Sequence, residues 1–492
     1  MKRIIISHET RQLFRSGAFR ALLLLLAGAV AFAAWSGQRS IDRQIEGANA
    51  AAAFEDGRRN KMRADTEKYQ ARVAAEGGEY QFASARHGAG EGPPQGTNAG
   101  VVGSATAKYL RLPPTGLAPF SVGQSDIQLS YVPVSMNPAI HITRDNELEN
   151  PVNLMTGSFD IAFVVIFLLP IFILAISYDL LSSEKERGTL AMVLAHPISL
   201  KALMVSKIAA RAGVLFAAVL ALGLAALLAV GDGLGSFDTW ARFGLWAAAT
   251  LLYALFWFAL SVLVNVHGGN SAANGIALAG TWLALVVVVP TLAGLLATTL
   301  YPAPSRMELT TAARQAQTEA ESAYMARLSE YYYDHLEFVP EGDERAMDFL
   351  TVAMANRNAI DKAVRPLHDE FQSQLNRQES LVRRFQFISP AIMMQLALNE
   401  ISGTSADRYE HFLNQAFDFR DEWSDFFTVR FLRRAPLKPS DYDQFPTFEY
   451  QEEPFATVLT RLLPSLAGML ALLGGAILIP FAGLRRYPVA TS

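Results

Sequence analysis

The residues best suited to make specific contacts lie in one short charged stretch, 178–197, between two long apolar runs. Ser183 and Glu186 are three positions apart, the spacing of a capping box, in which a hydroxyl and a carboxylate bind free N–H groups at a helix start. Apolar residues with helical spacing follow as a one-sided stripe: Leu190, Val193, Leu194 and Ile198. Pro197 should end the helix because it lacks an N–H group. The pattern predicts a short capped helix that is too polar to lie in lipid, although an ordinary loop helix has the same spacing.

Motifs for catalysis are missing from the sequence. There is no Gly-x-x-x-x-Gly-Lys-[Ser/Thr] phosphate loop, no His-Glu-x-x-His zinc motif and no Gly-x-Ser-x-Gly nucleophile elbow. The histidines lack ligand spacing and cysteine is absent, so neither a zinc hydrolase nor a thiolate metal site is expected. The sequence therefore predicts no catalytic residue, no metal site and no cofactor site in this chain.

Six apolar runs are each long enough to cross ~30 Å of hydrocarbon, which takes roughly 20 helical residues. They are Phe19–Trp35, Phe159–Ser177, Ile208–Val230, Phe243–Val266, Ile276–Leu300 and Val458–Leu484. Beyond their first turns the runs contain no Asp, Glu, Lys or Arg, which argues against a proton- or sodium-coupled carrier. Because 51% of the 492 residues are hydrophobic and clustered in this way, the sequence predicts a mainly α polytopic membrane protein with six transmembrane helices.

The basic residues near the spans predict the orientation of the chain. They cluster before the first span, in the second connection and after the last span: Lys2, Arg3, Arg11, Arg15, Arg20, Lys185, Arg187, Lys201, Lys207, Arg211, Arg485 and Arg486. With six spans these regions share one side, which the positive-inside rule makes cytoplasmic. Segments 1–18 and 485–492 are then cytoplasmic termini, whereas 36–158 and 301–456 are large extracytoplasmic segments. A net charge of −4 without a basic run gives no reason to expect a nucleic-acid partner.

A signal peptide is an alternative interpretation of the N-terminal sequence. A basic start and an apolar stretch precede Ala31-Phe32-Ala33, which has the form of a cleavage site. The basic region is long for a signal peptide, so we expect the first span to remain as an anchor.

The first extracytoplasmic segment has a helical composition over Ile41–Val73. A Gly/Pro-rich stretch, 86–103, follows and predicts a mobile loop. Short extended pieces with prolines come next, at Leu112-Pro113-Pro114 and Val132-Pro133-Val134.

The second extracytoplasmic segment is predicted to be mainly helical. Ser389-Pro390 has the chemistry of a helix start, Gly403 marks an end, and a further helix should cover Thr404–Arg434. Aromatic clusters are typical of core packing, with a ligand-stacking surface as the alternative. These clusters are Tyr331-Tyr332-Tyr333, Trp423 and Phe426-Phe427.

The stretch 182–190, followed by 194–199, resembles the cytoplasmic signature between spans two and three of ABC-2-type ABC transporter permeases. Further stretches resemble the subfamily of these permeases that carries the DUF3526 domain. They are Leu112-Pro113-Pro114, 119–126, 146–151, Ser389-Pro390-Ala391, Ile401-Ser402-Gly403-Thr404 and Phe412. The resemblance covers essentially the whole chain and is weakest over 39–111.

The resemblance implies that 178–207 contains a coupling helix that docks in a groove of a separate ATPase subunit. The residues carried over are Ser183, Glu184, Glu186, Arg187, Gly188, Thr189, Leu190, Leu194 and Pro197. The charged ones would be ionic contacts or braces to the second span, and Leu190 to Pro197 the docked element. Gly188 costs about 1 kcal/mol inside a helix. Its presence suggests a backbone approach, to the ATPase or to the second span, that is too close for a side chain; a merely loosened loop is the alternative. The basic segment 1–18 resembles the interfacial helix of the family, or is a simple topogenic charge cluster.

We therefore expect the permease subunit of an ABC-2-type transporter, an exporter, in a bacterial inner membrane. Its partners would be an ABC ATPase that binds ATP, a second permease copy or paralogue, the lipid bilayer and an extracytoplasmic protein. Two alternatives remain from the sequence: an ATP-driven mechanotransmission protein that moves no substrate through its spans, and a non-transporting receptor or scaffold.

Overall fold

The structure, a computed structural model, describes residues 2–83, 92–123, 130–136, 159–195, 199–267, 269–302, 306–322 and 349–483. Six helical stretches in these residues are long and apolar enough to cross a membrane. They are Gly17–Glu76, Ile161–Glu186, Leu200–Val230, Phe237–His267, Ser271–Leu300 and Phe455–Ile479, called spans one to six below. Span two is taken to end at Ser177, because a turn at 178–181 separates it from the short helix that follows. The prediction of a mainly α polytopic membrane protein with six spans is confirmed.

The described α-helices are Lys2–Arg15 (α1), Gly17–Glu76 (α2), Ala99–Ala105 (α3), Ile161–Phe163 (α4), Leu169–Ser177 (α5), Ser182–Glu186 (α6), Thr189–Leu194 (α7), Leu200–Val230 (α8), Phe237–His267 (α9), Ser271–Trp282 (α10), Val289–Leu300 (α11), Arg306–Ser322 (α12), Phe349–Phe385 (α13), Pro390–Ser402 (α14), Ala406–Leu432 (α15) and Phe455–Gly483 (α16). Short 3₁₀ helices cover Gln95–Thr97, Ala118–Phe120, Gln386–Ile388 and Pro439–Gln444. The strands Lys108–Arg111 (β1) and Tyr131–Val134 (β2) pair antiparallel. We call the end of the span bundle that carries α1, α6 and α7 the basal end, and the opposite end the distal end.

The first span does not stop where its apolar run stops. α2 continues without a break for 60 residues, about 90 Å at 1.5 Å per residue. Ser16 caps its start by accepting a hydrogen bond from the Phe19 N–H, and Gly77 ends it in the left-handed conformation, φ 66°. The sequence predicted a span and a separate helix over Ile41–Val73, because apolar content changes near Trp35 although no helix breaker lies there.

Spans two and five each contain a π-helix directly before a proline-containing turn. Val164–Leu168 precedes Pro170, and Leu283–Val288 precedes Pro290. A proline cannot donate to the turn before it, so carbonyls there lose their partner. The Tyr253 hydroxyl donates to the Ile166 carbonyl at 2.9 Å, and the Ser389 hydroxyl donates to the Leu285 carbonyl at 2.6 Å.

α13 and α14 form a hairpin that enters the span bundle from the distal end. Gln378 of α13 donates to the carbonyl of Tyr301, at the distal end of span five, at 2.5 Å. Ser389 at the hairpin tip reaches Leu285, 16 residues or ~24 Å nearer the middle of that span. Gln386 accepts a hydrogen bond from Ser465 of span six at 3.0 Å. The segment 301–456 was predicted to lie outside the spans, and this re-entry was not foreseen.

The predicted ends of α14 are confirmed, and both follow from local chemistry. The Ser389 hydroxyl accepts from the Ile392 N–H, with Pro390 at the first helical position. Gly403 closes the helix with φ 68°, the left-handed conformation that glycine adopts without penalty. α14 then packs against spans four and six.

A small domain surrounds the distal half of α2 and contains α3, β1, β2 and α15. The predicted aromatic core is confirmed for the described clusters, since Trp423 and Phe427 are buried. Tyr331-Tyr332-Tyr333 lie outside the described residues. The prediction of a mobile loop over 86–103 is wrong for 95–103, which form a 3₁₀ turn and most of α3. Gly103 is a close-packing residue there, because a Cβ would lie 2.7 Å from the Phe427 ring.

Candidate coupling site

The stretch predicted as one capped helix consists of two short helices, α6 and α7, that meet at Arg187-Gly188. The prediction of a capping box formed by Ser183 and Glu186 is wrong. Leu181 is the N-cap of α6 and makes no side-chain cap hydrogen bond, so Ser183 lies inside the helix. The chain enters α6 from span two through a turn at 178–181, and no free helix start exists at Ser183.

Glu186 instead binds the start of span five. Its carboxylate accepts from the Ser271 N–H at 2.6 Å and from the Ser271 hydroxyl at 3.0 Å. Ser271 is the first residue of α10, where N–H groups lack helical partners and favour a negative charge. Because the Ser182 hydroxyl also lies within hydrogen-bond distance of Ser271 Oγ, at 2.9 Å, two residues of α6 hold this helix start.

Gly188 is needed for its backbone conformation, φ 70°, at the turn between α6 and α7. A Cβ at this position would meet no atom of the described chain within 4 Å. The predicted close approach to the second span is therefore wrong. Thr189 stabilises the same turn, because its hydroxyl donates a hydrogen bond to the Glu184 carbonyl at 3.2 Å.

Lys207 is the centre of a buried group of charges at the basal end. Lys207, on α8, is 4% exposed, and its ammonium group donates to Glu184 Oε1 at 2.6 Å and to the Leu180 carbonyl at 3.2 Å. Glu9 of α1 lies 3.7 Å away on another side. One cation thus joins α6, span three and the N-terminal helix.

Arg211 lies one turn further along α8 and repeats this arrangement. Its guanidinium donates to the Ile176 carbonyl and lies 3.4 Å from the Asp179 carboxylate. Glu9 completes the group at 3.6 Å from Arg211. We call Glu9, Asp179, Glu184, Lys207 and Arg211 the basal charge cluster. Three carboxylates and two cations, brought from four chain segments, fix α1 and α6 against span three.

The sequence analysis missed this cluster. It used Lys207 and Arg211 only as topogenic charges, and it gave Glu9 no role. A signal was present, because Glu9 is the only acidic residue before Asp42, and the two cations are four residues apart on one helical face.

The remaining predicted residues differ in exposure. Leu190 is buried, whereas Thr189 and Leu194 are half-buried. Arg187 is exposed and makes no ion pair within the described ranges. Met192 of α7, which the sequence analysis did not select, is 65% exposed. Pro197 lies outside the described residues.

A chain of buried amides and hydroxyls ties α6 to spans four and five. Asn265 of span four donates to the Ser177 carbonyl at 3.1 Å and accepts from the Leu181 N–H at 3.4 Å. Asn274 of span five donates to Asn265 Oδ1 at 3.3 Å and to Ser182 Oγ at 3.4 Å. The element after span two therefore contacts spans three, four and five through polar groups.

At the distal end, stretches that are far apart in the sequence come together. Ser121 donates to Asn399 Oδ1 at 2.7 Å, and Thr404 donates to the Ser121 carbonyl at 2.7 Å. Thr115 and Ser402 form another such contact, at 2.5 Å. Pro119–Gly123 and Ile401–Thr404, two of the stretches behind the subfamily resemblance, thus form one hydrogen-bonded junction.

The spans are tied to this distal junction by two charged residues. Asp160 accepts from the Val122 N–H and from the Phe163 N–H, both at 2.8 Å, and so caps the start of span two. Arg242 of span four, 2% exposed, donates to the carbonyls of Glu400 and Ile401 at 3.3 and 3.0 Å. The carbonyls at the end of α14 therefore have a cationic partner.

The basal charge cluster and the distal junction both bind helix ends together. No group of three or more His, Asp or Glu side chains in the described residues is placed to hold a metal ion.

Comparison with known proteins agrees with this architecture. A family model described as ABC-2 family transporter protein matches residues 3–488. A search of curated proteins found no match. The match spans nearly the whole chain, including all six spans and both junctions. The chain belongs to the ABC-2 family of transporter proteins.

Proposed function

We propose that the chain is the membrane subunit of an exporter that a separate ABC ATPase powers. Family membership makes it a permease component of an ABC transporter. The direction of transport, the ATPase partner, the DUF3526 subfamily, a dimer with a second copy or paralogue, and a bacterial inner membrane belong to the proposal. ATP would bind to the partner subunit, with no cofactor in this chain.

The observation that carries the proposal is the attachment of α6 to its surroundings. Lys207 joins it to span three and α1, Glu186 joins it to span five, and Asn265 joins it to span four. A displacement of α6 and α7 would therefore be transmitted to spans three, four and five together. This is what a coupling element requires, because interfaces respond to a load by shifting packed elements as units.

The proposed docking surface is the exposed part of this element, Arg187, Gly188 and Met192. The side chain of Met192 offers flexible apolar contact, and Arg187 offers a charge. The basal end is cytoplasmic in this proposal, since the N-terminal basic residues lie there.

Mechanotransmission is a second candidate, favoured by the length of α2. One unbroken helix runs from the basal region through the bundle and along the distal domain, where Arg63 makes a bidentate pair with Asp443 at 2.7 and 3.1 Å. A movement of the basal end of α2 would reach the end of the same helix, ~60 Å beyond Trp35, without passing through a loop.

Copurification tests the proposal. The tagged chain, extracted from its native membrane, should retain an ATPase subunit, and the variants Arg187→Glu and Met192→Glu should lose it. Lys61→Glu, on the exposed distal part of α2, is the matched control and should retain it. If the wild-type chain retains no ATPase, the non-transporting scaffold becomes the better interpretation.

A flexible insertion separates the two candidates. Three glycines inserted after Ala52 interrupt α2 beyond the bundle. Export through the spans should continue in this variant, whereas mechanotransmission should be lost while ATP hydrolysis persists. Transport measured in vesicles, together with ATP hydrolysis, decides between them.

A further inference from the structure

A groove of about 710 Å³ lies between the distal halves of the spans in α2 and α8. This volume is within the ~300–1,000 Å³ of ordinary small-molecule sites. The wall nearer the middle of the bundle is apolar and built largely of small side chains, such as Ala31 of α2 and Ala229 of α8. The wall nearer the distal end is polar and comes from α2 alone: Gln38, Arg39, Asp42, Arg43 and Glu46.

The change from apolar to polar wall occurs at Trp35. Tryptophan is enriched where hydrocarbon meets water, and the apolar run of the first span ends at this residue. The groove therefore lies across the membrane interface, with the alanine wall at the depth of acyl chains and the charged wall at the depth of headgroups.

The polar wall contains groups that are available to bind a ligand. Arg39 lies over the Trp35 ring at 5.4 Å, and Arg43 donates to the Arg39 carbonyl. Neither arginine makes an ion pair within the described residues. Gln38 donates to Asp42 at 2.8 Å, yet its own side-chain oxygen is buried and has no hydrogen-bond partner among the described atoms. A buried acceptor without a donor is costly, so a donor from a ligand is favourable there.

The charges are ordered along the helix. Arg39 lies closest to the apolar wall, Asp42 is nearly one turn further out, Arg43 follows it directly, and Glu46 is two turns out, ~10 Å from Arg39 along the axis. The groove thus presents a guanidinium first, and beyond it two carboxylates and one guanidinium, which leave the outer part with a net negative charge. A phospholipid with an ammonium headgroup has the complementary order, phosphate first and ammonium beyond it.

We propose that this groove binds one zwitterionic phospholipid with a primary ammonium headgroup. Its phosphate would contact Arg39 and its ammonium would contact Asp42 and Glu46, with an acyl chain along the alanine wall. A purely anionic lipid would bring no cation to Asp42 and Glu46. This site is separate from the proposed coupling surface, and its test requires no ATPase.

Native mass spectrometry of the delipidated full chain in detergent tests the proposal. Phosphatidylethanolamine should bind with one tight site, about 10-fold tighter than phosphatidylglycerol, a difference of about 1.4 kcal/mol. Arg39→Gln should weaken phosphatidylethanolamine binding, and Ala229→Leu should weaken it with all charges in place. Arg58→Gln, on the same helix but paired with Glu55 outside the groove, should bind as the wild type does.

Equal binding of the two lipids, or unchanged binding by both Arg39→Gln and Ala229→Leu, would overturn the proposal. A second copy of the chain is the competing occupant. Because the chain has no cysteine, Ala229→Cys supplies a single thiol. Protection of this thiol from alkylation by phosphatidylethanolamine supports the lipid site, whereas efficient disulfide dimerisation through it refutes the site.

Discussion

The Glu186 carboxylate caps the helix that begins at Ser271, 2.6 Å from its N–H. This contact joins the short element after span two to span five, across 85 residues of sequence. A load on α6 therefore reaches span five directly, without passing along span two.

Reporter fusions test the orientation. Fusions after Gly103 and after Gly342 should report the extracytoplasmic side, whereas fusions after Ser199 and after Ser492 should report the cytoplasm. The physical reason is the concentration of basic residues at the basal end. A cytoplasmic signal from the Gly342 fusion would contradict the six-span orientation.

Substitutions of Gly188 separate a conformational role from a contact with a partner. Replacing Gly188 by Ala or by Leu should lower the stability of the turn about equally, by about 1 kcal/mol. Both residues are disfavoured at φ 70°, and the Cβ of either meets no atom of the described chain. Gly188→Asn should impair it less, since asparagine tolerates this region. Quantified ATPase copurification is the measurement. A much larger loss for Gly188→Leu than for Gly188→Ala would indicate that the partner approaches this position.

Loss of Lys207 should destabilise the protein strongly. Lys207→Met leaves Glu184 without its buried cation and Glu9 with Arg211 alone, and removing one member of such a pair costs about 3–5 kcal/mol. Arg187→Gln removes an exposed cation from the adjacent segment and should change stability by less than about 0.5 kcal/mol. Thermal unfolding in detergent compares the two, and equal melting temperatures would show that the cluster contributes little.

The hydroxyls beside the two prolines should matter more than hydroxyls bonded to their own helix. Tyr253→Phe and Ser389→Ala each leave a buried carbonyl without a donor, at a cost of about 1–3 kcal/mol. Thr291→Val is the control, because Thr291 is exposed and donates only to the Val287 carbonyl of its own helix. Unfolding measurements on the three variants should rank the control as the most stable. A neutral Tyr253→Phe would mean that the Ile166 carbonyl finds another partner.

Glu400 should make stability depend on pH. Burial raises the pKa of its carboxyl to about 7, with help from the Asp407 charge and against the effect of Arg461. The folded state then holds a proton that the unfolded state releases, so the stability contributed by this proton falls as the pH rises from about 4.5 to about 7. The lowered pKa of Glu452 acts in the opposite direction, at lower pH. Glu400→Gln should flatten the melting temperature between pH 5 and 7, and an unchanged slope would contradict the assignment.

The spans and the ends of α14 could be predicted because their signals are local. Apolar run length identifies a span, and Ser389, Pro390 and Gly403 act on their own helix. The partners of Glu186 and Lys207 could not be predicted, because Ser271 and Glu9 are distant in sequence and common in type. The capping-box spacing of Ser183 and Glu186 was misleading, since tertiary contacts gave Glu186 another helix to cap. Gly188 and Gly103 look alike in sequence, and only the fold separates a left-handed turn from close packing.

The α13–α14 hairpin also imposes an order on biogenesis. Its tip bonds to Leu285, which is synthesised earlier, and to Ser465, which is synthesised more than 70 residues later. Irregular backbone at the depth of the bilayer is stable only when protein surrounds it. The hairpin can therefore pack only after span six has emerged and inserted, and it then closes the bundle as a late step. Chains truncated before Phe455 should consequently leave α14 open to an added protease, whereas full-length chains should protect it.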